Sequence, residues 1–349
     1  RDIREIERDG STHRVGVITV PTFYTDFAAA QAGEEDYRST TRDVRRHIEA
    51  LQEEGIDALI VDVRGNSGGS LREAVDMSGL FLPGGPIVQI ERSDGGRETM
   101  QDPDNSVAYD GPLAVMVDRR SASASEIFAG AMQDYDRAVI VGHRTFGKGT
   151  VQTMVDLGRF QKNGGDQSGR LKLTVAKFYR ITGSSTQMRG VEPDIELPSV
   201  IDDDEVGERA ADNALPWDEI DPVPFETRGG RQHLDALRER HNERIDSHEA
   251  YQALQDQLEY VRSMRDETTV SLNRETRARN REERNQRRLE LANRHRRIAG
   301  KEPVDEVSDL DREDRPETMV EVTAEIAIDI HLLRNKPRIA RSWQGDSDS

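Results

Sequence analysis

Three closely spaced serines and one isolated lysine are the residues in this chain whose types and spacing could do chemistry. Ser121, Ser123 and Ser125 stand between an apolar run, Leu113 to Val117, and a helical pattern with Ile127, Phe128, Ala131 and Met132 on one face. A strand is therefore expected to feed a serine turn that caps a helix. The helix runs out near Asp134 to Asp136, a second strand-type run follows (Ala138 to Val141), and Gly142, Gly147 and Gly149 then bracket Lys148. Serine and lysine are thus expected at two neighbouring strand ends. A serine hydroxyl is a poor nucleophile until a base takes its proton, and a lysine can be that base where burial makes its charged form costly. The pairing suits a Ser-Lys hydrolase, one variant of the triad logic. The start of the helix would add unpaired N–H groups and a positive dipole end, which suit an oxyanion. The plainer alternative makes the serines helix caps and Lys148 a solvated loop residue.

Two other motifs compete. Gly65-Asn66-Ser67-Gly68-Gly69 satisfies G-x-S-x-G after a strand and before a helix, which would make Ser67 the nucleophile of an α/β-hydrolase-type esterase with His143 or His233 as base. No HGGG-type oxyanion motif accompanies it. Gly142 to Lys148 reads G-x-x-x-x-G-K, but Gly149 replaces the Ser or Thr of a phosphate-binding loop and TVQTMVDL alternates like a strand instead of opening a helix. Asp134 closes the central helix close to Arg137 and is expected to be structural or supporting. No cluster of His, Asp and Glu shows metal-ligand spacing in the sequence, so neither a metal nor another cofactor is expected.

The strings SASASEIFAGAMQDY and TFGKGTVQ resemble the signature of the tail-specific, or C-terminal processing, proteases of peptidase family S41. The long proteobacterial periplasmic branch is the most similar. The resemblance implies Ser123 as nucleophile, Lys148 as base and Gln152 as the residue that orients its amine. It further implies an oxyanion hole from the N–H groups of Gly69 and Ala124, with Gly68, Ser125 and Asp134 as supporting positions. Ser67 falls at the family's variable position before the glycine pair. Substrates implied are envelope proteins with apolar C-terminal tails, bound by strand addition in the periplasm, and a helical-repeat lipoprotein is an implied adaptor. The family's PDZ domain, which captures substrate C-termini, and its N-terminal helical region are not among these residues and are expected to lie before Arg1, with any targeting segment.

The elements that must position these residues form an α/β fold: an S41-type core, a mixed sheet with flanking helices of the ClpP/crotonase-like kind, then a mainly helical C-terminal domain. Boundaries are expected at 1–200 for the core, 201–230 for an acidic junction and 231–349 for the helical part. Strands are expected over Arg14 to Val20, Asp57 to Val63, Ile87 to Ile90, Val151 to Leu157 and Leu171 to Ile181. Helices are expected over Ser39 to Glu54 and Leu71 to Leu80. Residues 1 to 12 read only as charged, 92 to 110 as an exposed hairpin or loop, and 160 to 170 as a polar loop. GVEPDIELP (Gly190 to Pro198) closes the core, and Trp217 is expected to pin the junction to a domain surface. Thr318 to Leu333 is left open between helix and strand.

The chain has 349 residues, 49 Lys plus Arg against 67 Asp plus Glu, and a net charge of −18, which disfavours nucleic-acid or anionic-membrane partners. In Arg274 to Arg296 the arginines alternate with glutamates and no aromatics intervene for stacking, which favours a solvated, ion-paired helix over an RNA-binding one. Cysteine is absent, removing disulfides and thiol chemistry, and no apolar run reaches the length of a membrane span.

Overall fold

The computed structural model describes residues 1–335 except 35, 103, 161–168, 200, 202–205, 230, 232 and 311–316. Two strands buried at every position, β3 (Ala58–Asp62) and β6 (Leu113–Val117), form the centre. Apolar on both faces, they can exist only in a sheet covered on both sides, and a parallel sheet meets that need. With β1 (Asp2–Arg8), β2 (Ser11–Thr19), β7 (Val139–Gly142) and β10 (Ile195–Glu196) they make a six-stranded sheet in the order β1-β2-β3-β6-β7-β10. Every pairing is parallel except β1 with β2.

The charged sequence of β1, DIREIER, carries no clear strand signal. It is an edge strand, and Asp9 and Gly10, both at positive φ (52° and 76°), turn it into β2. That dipeptide is the turn a right-handed strand twist favours.

Alternation sorts the sheet's side chains into two cores. Ile18, Leu59, Val61, Val115, Val117 and Ile140 face one way, against α2 (Thr40–Glu53), α3 (Leu71–Gly79) and α4 (Ala124–Asp134). Ser39 caps α2 by accepting the Arg42 N–H, and the helix buries Val44, Ile48 and Leu51, the stripe expected of it. A second, antiparallel sheet, in the order β5 (Arg97–Asp102), β4 (Gly85–Arg92), β9 (Arg170–Tyr179), β8 (Thr150–Asp156), closes the same core through Val88, Ile90, Ala176 and Phe178. Helix α4 thus lies between two sheets. Its sequence, ASEIFAGAMQD, buries every residue from Ala124 to Gln133, and its small residues permit that approach.

The other face of the six-stranded sheet carries Val15, Val17, Ile60, Ala114, Met116 and Val141 and is covered by α8 (Thr318–Arg334). The segment left open between helix and strand is therefore a helix. It is apolar nearly all round, with Val322, Ala324, Ile326, Ala327 and Ile328 all at most 1% exposed, as in a helix buried on several sides. Helices α5 (Leu234–Ile245) and α6 (Glu249–Asp266) pack on α8, and α7 (Arg274–Ile298) packs on α6 with only Leu291 and His295 buried. Residues near the C-terminus so complete the core of the N-terminal sheet, and the expected division at about 231 separates segments of sequence, not two cores. Trp217 anchors the junction by donating Nε1–H to the Ser185 carbonyl at 2.9 Å, beneath the Arg189 guanidinium. The expected loop at 160–170 lies largely outside the described residues, and no helix among those described is long and apolar enough to cross a membrane.

Because α8 packs across β1, β2, β3 and β6, Ile328→Ala should lower the unfolding free energy measured in urea by about 2–5 kcal/mol. Leu272→Ala, at a side chain 97% exposed, should change it by less than about 0.5 kcal/mol.

Candidate active site

Three loops converge at the C-terminal ends of β3, β6 and β7, the edge of a parallel sheet where ligands are usually bound. The β6 loop turns into α4 at Ser123, whose backbone is at φ 58°, ψ −111°. A non-glycine residue there is strained, and such strain persists only where surroundings enforce it. Here the enforcement is visible. The Ala122 N–H donates to the Asn66 carbonyl at 2.9 Å, Ser121 Oγ to the Val63 carbonyl at 2.8 Å, and Ser125 Oγ to the Asn66 carbonyl at 2.9 Å. Ser121 and Ser125 therefore stitch the turn to the β3 loop and leave Ser123, half-buried, as the serine at the turn itself.

The β3 loop is shaped by Asn66, fully buried, whose side chain donates to the Val20 carbonyl and accepts the Gly68 N–H at 2.8 Å. Gly68 packs against Ser123, and a Cβ there would come within 2.9 Å of the Ser123 Cβ. Gly69 sits at φ 143°, and a Cβ on it would meet the Phe23 carbonyl oxygen at 2.1 Å, so only glycine fits. Among the described residues no hydrogen bond engages the N–H of Gly69 or of Ala124, the first residue of α4. Both belong to loops that meet at Ser123.

The β7 loop brings Lys148, and Glu126 fixes its position. Within α4, Glu126 is fully buried and accepts four donors: the Ser123 N–H at 2.7 Å, the Lys148 N–H at 2.9 Å, the Gly147 N–H at 2.6 Å and the Thr145 hydroxyl at 2.6 Å. Ser123 and Lys148 share a single oxygen, Oε2, so their backbone nitrogens lie less than two hydrogen-bond lengths apart. Burial pushes the Glu126 carboxyl up to about 7, opposed by these donors. Burial lowers the Lys148 amine from its ordinary value of 10.5, helped by the positive charge of Lys172 on β9 and opposed by Glu208 and Glu126. That is the direction a general base needs.

Gln152 lies on β8 just beyond a bulge, exposed, and the described residues show no hydrogen bond between it and Lys148. The ladder puts Met154 opposite Lys172 and Gln152 opposite Thr174, so Gln152 shares the face of Lys172, whose charge reaches the lysine.

Asp134 differs from expectation in its partner. It chelates Arg180, whose Nε lies 3.0 and 3.1 Å from its two oxygens, while Arg137 donates instead to the carbonyls of Phe81 and Tyr109. Both Asp134 and Arg180 lie well inside, and the pair ties the end of α4 to β9.

The competing candidates are dispersed. Ser67 is exposed, is not among the positive-φ residues, and accepts or donates no hydrogen bond to a histidine among those described. His143 faces Glu196 at 3.7 Å, and His233 stands at the start of α5. The loop carrying Lys148 runs into strand β8, not a helix, so the phosphate-loop reading fails as its sequence implied. Three residues that sequence reasoning passed over prove central: Asn66, Thr145 and Glu126. Only Glu126 left a local signal, the Ser-x-x-Glu spacing of a capping box from Ser123.

A strained serine and a lysine-bearing loop, joined through one buried carboxylate at the edge of a parallel sheet, are the features on which the comparisons with known proteins bear. Residues 14–197 match the description "Peptidase family S41", and the chain belongs to that family. Residues 201–336 match "C-terminal domain of tail specific protease". The chain is 36% identical over 334 residues to the tail-specific protease of Haemophilus influenzae, covering 94% of this chain and 46% of that protein. It is 37% identical over 167 residues to the chloroplastic C-terminal processing peptidase of Tetradesmus obliquus, covering 48% and 34% respectively. The chain thus spans less than half the length of these curated relatives. Among solved structures, the photosystem II D1 C-terminal processing protease matches with a TM-score of 0.45 and 31% identity, over 57% of this chain and 46% of that one.

Replacing Glu126 by Gln should place an amide donor against backbone donors and destabilise the fold by about 1–3 kcal/mol. The same variant tests the raised pKa. Burial raises the Glu126 pKa from its ordinary 4.5 to about 7 against the pull of its four donors, so the folded state binds the proton more tightly than the unfolded chain and stability falls as pH rises through that window. Urea unfolding at the two ends of the window should show wild type losing stability relative to Glu126→Gln.

Proposed function

We propose that the chain carries the proteolytic centre of a serine endopeptidase with a Ser123-Lys148 dyad. The observation that carries this reading is the strained Ser123 at the start of α4, bound through Glu126 to the loop of a lysine with a lowered pKa. Neutral Lys148 takes the Ser123 hydroxyl proton as Oγ attacks the substrate carbonyl, and the N–H groups of Gly69 and Ala124 receive the oxyanion. The proton returns to the leaving amine, and water then hydrolyses the acyl-enzyme by the reverse roles. The resemblance assigns Gln152 to orient the amine, a role that requires its side chain to swing from the exposed position it holds here into hydrogen-bond range of Lys148. Gly68 and Ser125 hold the two donor loops in place, and Asp134 fixes α4 on the second sheet.

The name of the Haemophilus influenzae relative supports substrates selected by their tails. We assign to this chain envelope-protein substrates with apolar C-termini, bound as an added strand, in the periplasm, with a helical-repeat lipoprotein as a partner. A latent scaffold with a misaligned dyad is the rival reading. The shared Glu126 oxygen counts against it, because it ties the two loops directly.

Cleavage of an unfolded protein ending in an apolar tail tests the assignment. Ser123→Ala and Lys148→Ala should each reduce the rate by at least about a hundredfold, while Ser67→Ala retains cleavage. The rate should rise with pH along a limb governed by a group below 10.5, the ordinary lysine value. Cleavage undiminished in Lys148→Ala would overturn the dyad, and its loss in Ser67→Ala alone would restore the esterase-type elbow.

A further inference from the structure

At the opposite edge of the six-stranded sheet from Ser123, the N-terminal ends of β2 and β3 meet the last turn of α8. His13 comes from β2, Asp57 from the residue before β3, and His331 from α8. One ligand-type atom from each lies within 4.8 Å of the others, and among the described residues no other group of three or more His, Cys, Asp or Glu side chains does this. His13 Nδ1 is 3.5 Å from Asp57 Oδ2, and His331 Nε2 is 4.0 Å from Asp57 Oδ1. Asp57 and His331 are 274 positions apart, which is why no spacing in the sequence announced them.

The surroundings orient these atoms as metal ligands are oriented. His331 Nδ1 lies 3.1 Å from the Asp57 carbonyl oxygen, which can only accept, so Nδ1 carries the hydrogen and Nε2 presents its lone pair. A backbone carbonyl in that role is the usual support of a metal-bound imidazole. Asn335 donates its amide to Nε2 at 3.2 Å, from an exposed position it can leave. The Arg14 N–H donates to Asp57 Oδ2 at 2.9 Å and fixes the carboxylate. His13 and His331 have side-chain exposures of 14% and 22%, which shelter the site yet admit one water.

We propose that His13, Asp57 and His331 form a site for a divalent transition metal of the zinc class, which clips helix α8 to the start of the β-sheet. Two imidazoles and one carboxylate select zinc, cobalt or nickel over magnesium or calcium, which prefer all-oxygen sites. Ligand bonds of about 2.0–2.2 Å in tetrahedral array need the three atoms to draw together by about 1 Å, with water as fourth ligand. Since α8 seals one face of the sheet, the metal would act on stability, far from the peptide-bond chemistry.

The test is titration of the chelator-treated chain with Zn²⁺ at about pH 7.5, where free imidazole is largely neutral, followed by calorimetry and thermal unfolding. One equivalent should bind, and metal at about a hundred times its dissociation constant should raise Tm by about 3–4 °C. Co²⁺ in its place should show the visible absorption of a tetrahedral site. His13→Gln and His331→Gln, with circular dichroism spectra unchanged, should each weaken binding at least tenfold, whereas Ser123→Ala should not. Failure of the unmodified chain to take up one equivalent overturns the site whatever the variants do. Uptake unchanged in both histidine variants overturns it equally.

Discussion

One buried carboxylate organises the end of this molecule where the candidate site lies. Glu126 is fully buried, and removing a carboxylate from water is costly unless hydrogen bonds replace the lost hydration. Four donors do so, from Ser123, Thr145, Gly147 and Lys148. The result is that two loops leaving different strands share one acceptor, and neither can shift without leaving a buried donor or acceptor unmatched. Thr145 extends the arrangement by accepting the Val191 N–H at 2.7 Å, which carries it into the segment that closes the core. The proposed dyad depends on placement within fractions of an ångström, and what the structure fixes is the backbone of its two loops around the start of α4.

What holds Glu126 dry is the layered packing. Helix α4 lies between the parallel sheet and the antiparallel one, so its third residue is enclosed before any substrate arrives. The parallel sheet in turn needs its other face covered, and α8, from the far end of the chain, supplies the cover. Arg244 and Arg240 pair with Asp329, buried on α8, and fasten α5 to that helix. The matches of 14–197 and 201–336 to two family descriptions divide the sequence. The hydrophobic core does not respect that division.

Much of this was legible in the sequence where the physics is local. The serine cluster and the glycine-bracketed lysine marked the two loops that Glu126 joins, and the all-apolar runs of β3 and β6 marked a covered parallel sheet. Strand β1 escaped because its charges fit an edge strand as well as a loop, although Asp9-Gly10 carried the turn. Helix α8 stayed undecided because a helix buried nearly all round has no polar stripe to betray its period. The contacts of Asn66 and Thr145, the pairing of Asp134 with Arg180 in place of Arg137, and the meeting of His13, Asp57 and His331 all join distant segments. No spacing rule reaches them.

The most direct test of the central claim is covalent labelling of the chain with a fluorophosphonate, which phosphonylates an activated serine, followed by mass mapping of the modified peptide. The account predicts one label, on Ser123, its rate rising with pH and collapsing in Lys148→Ala while Ser67 stays unmodified. Label on Ser67, or on Ser123 at a rate indifferent to Lys148, would contradict it.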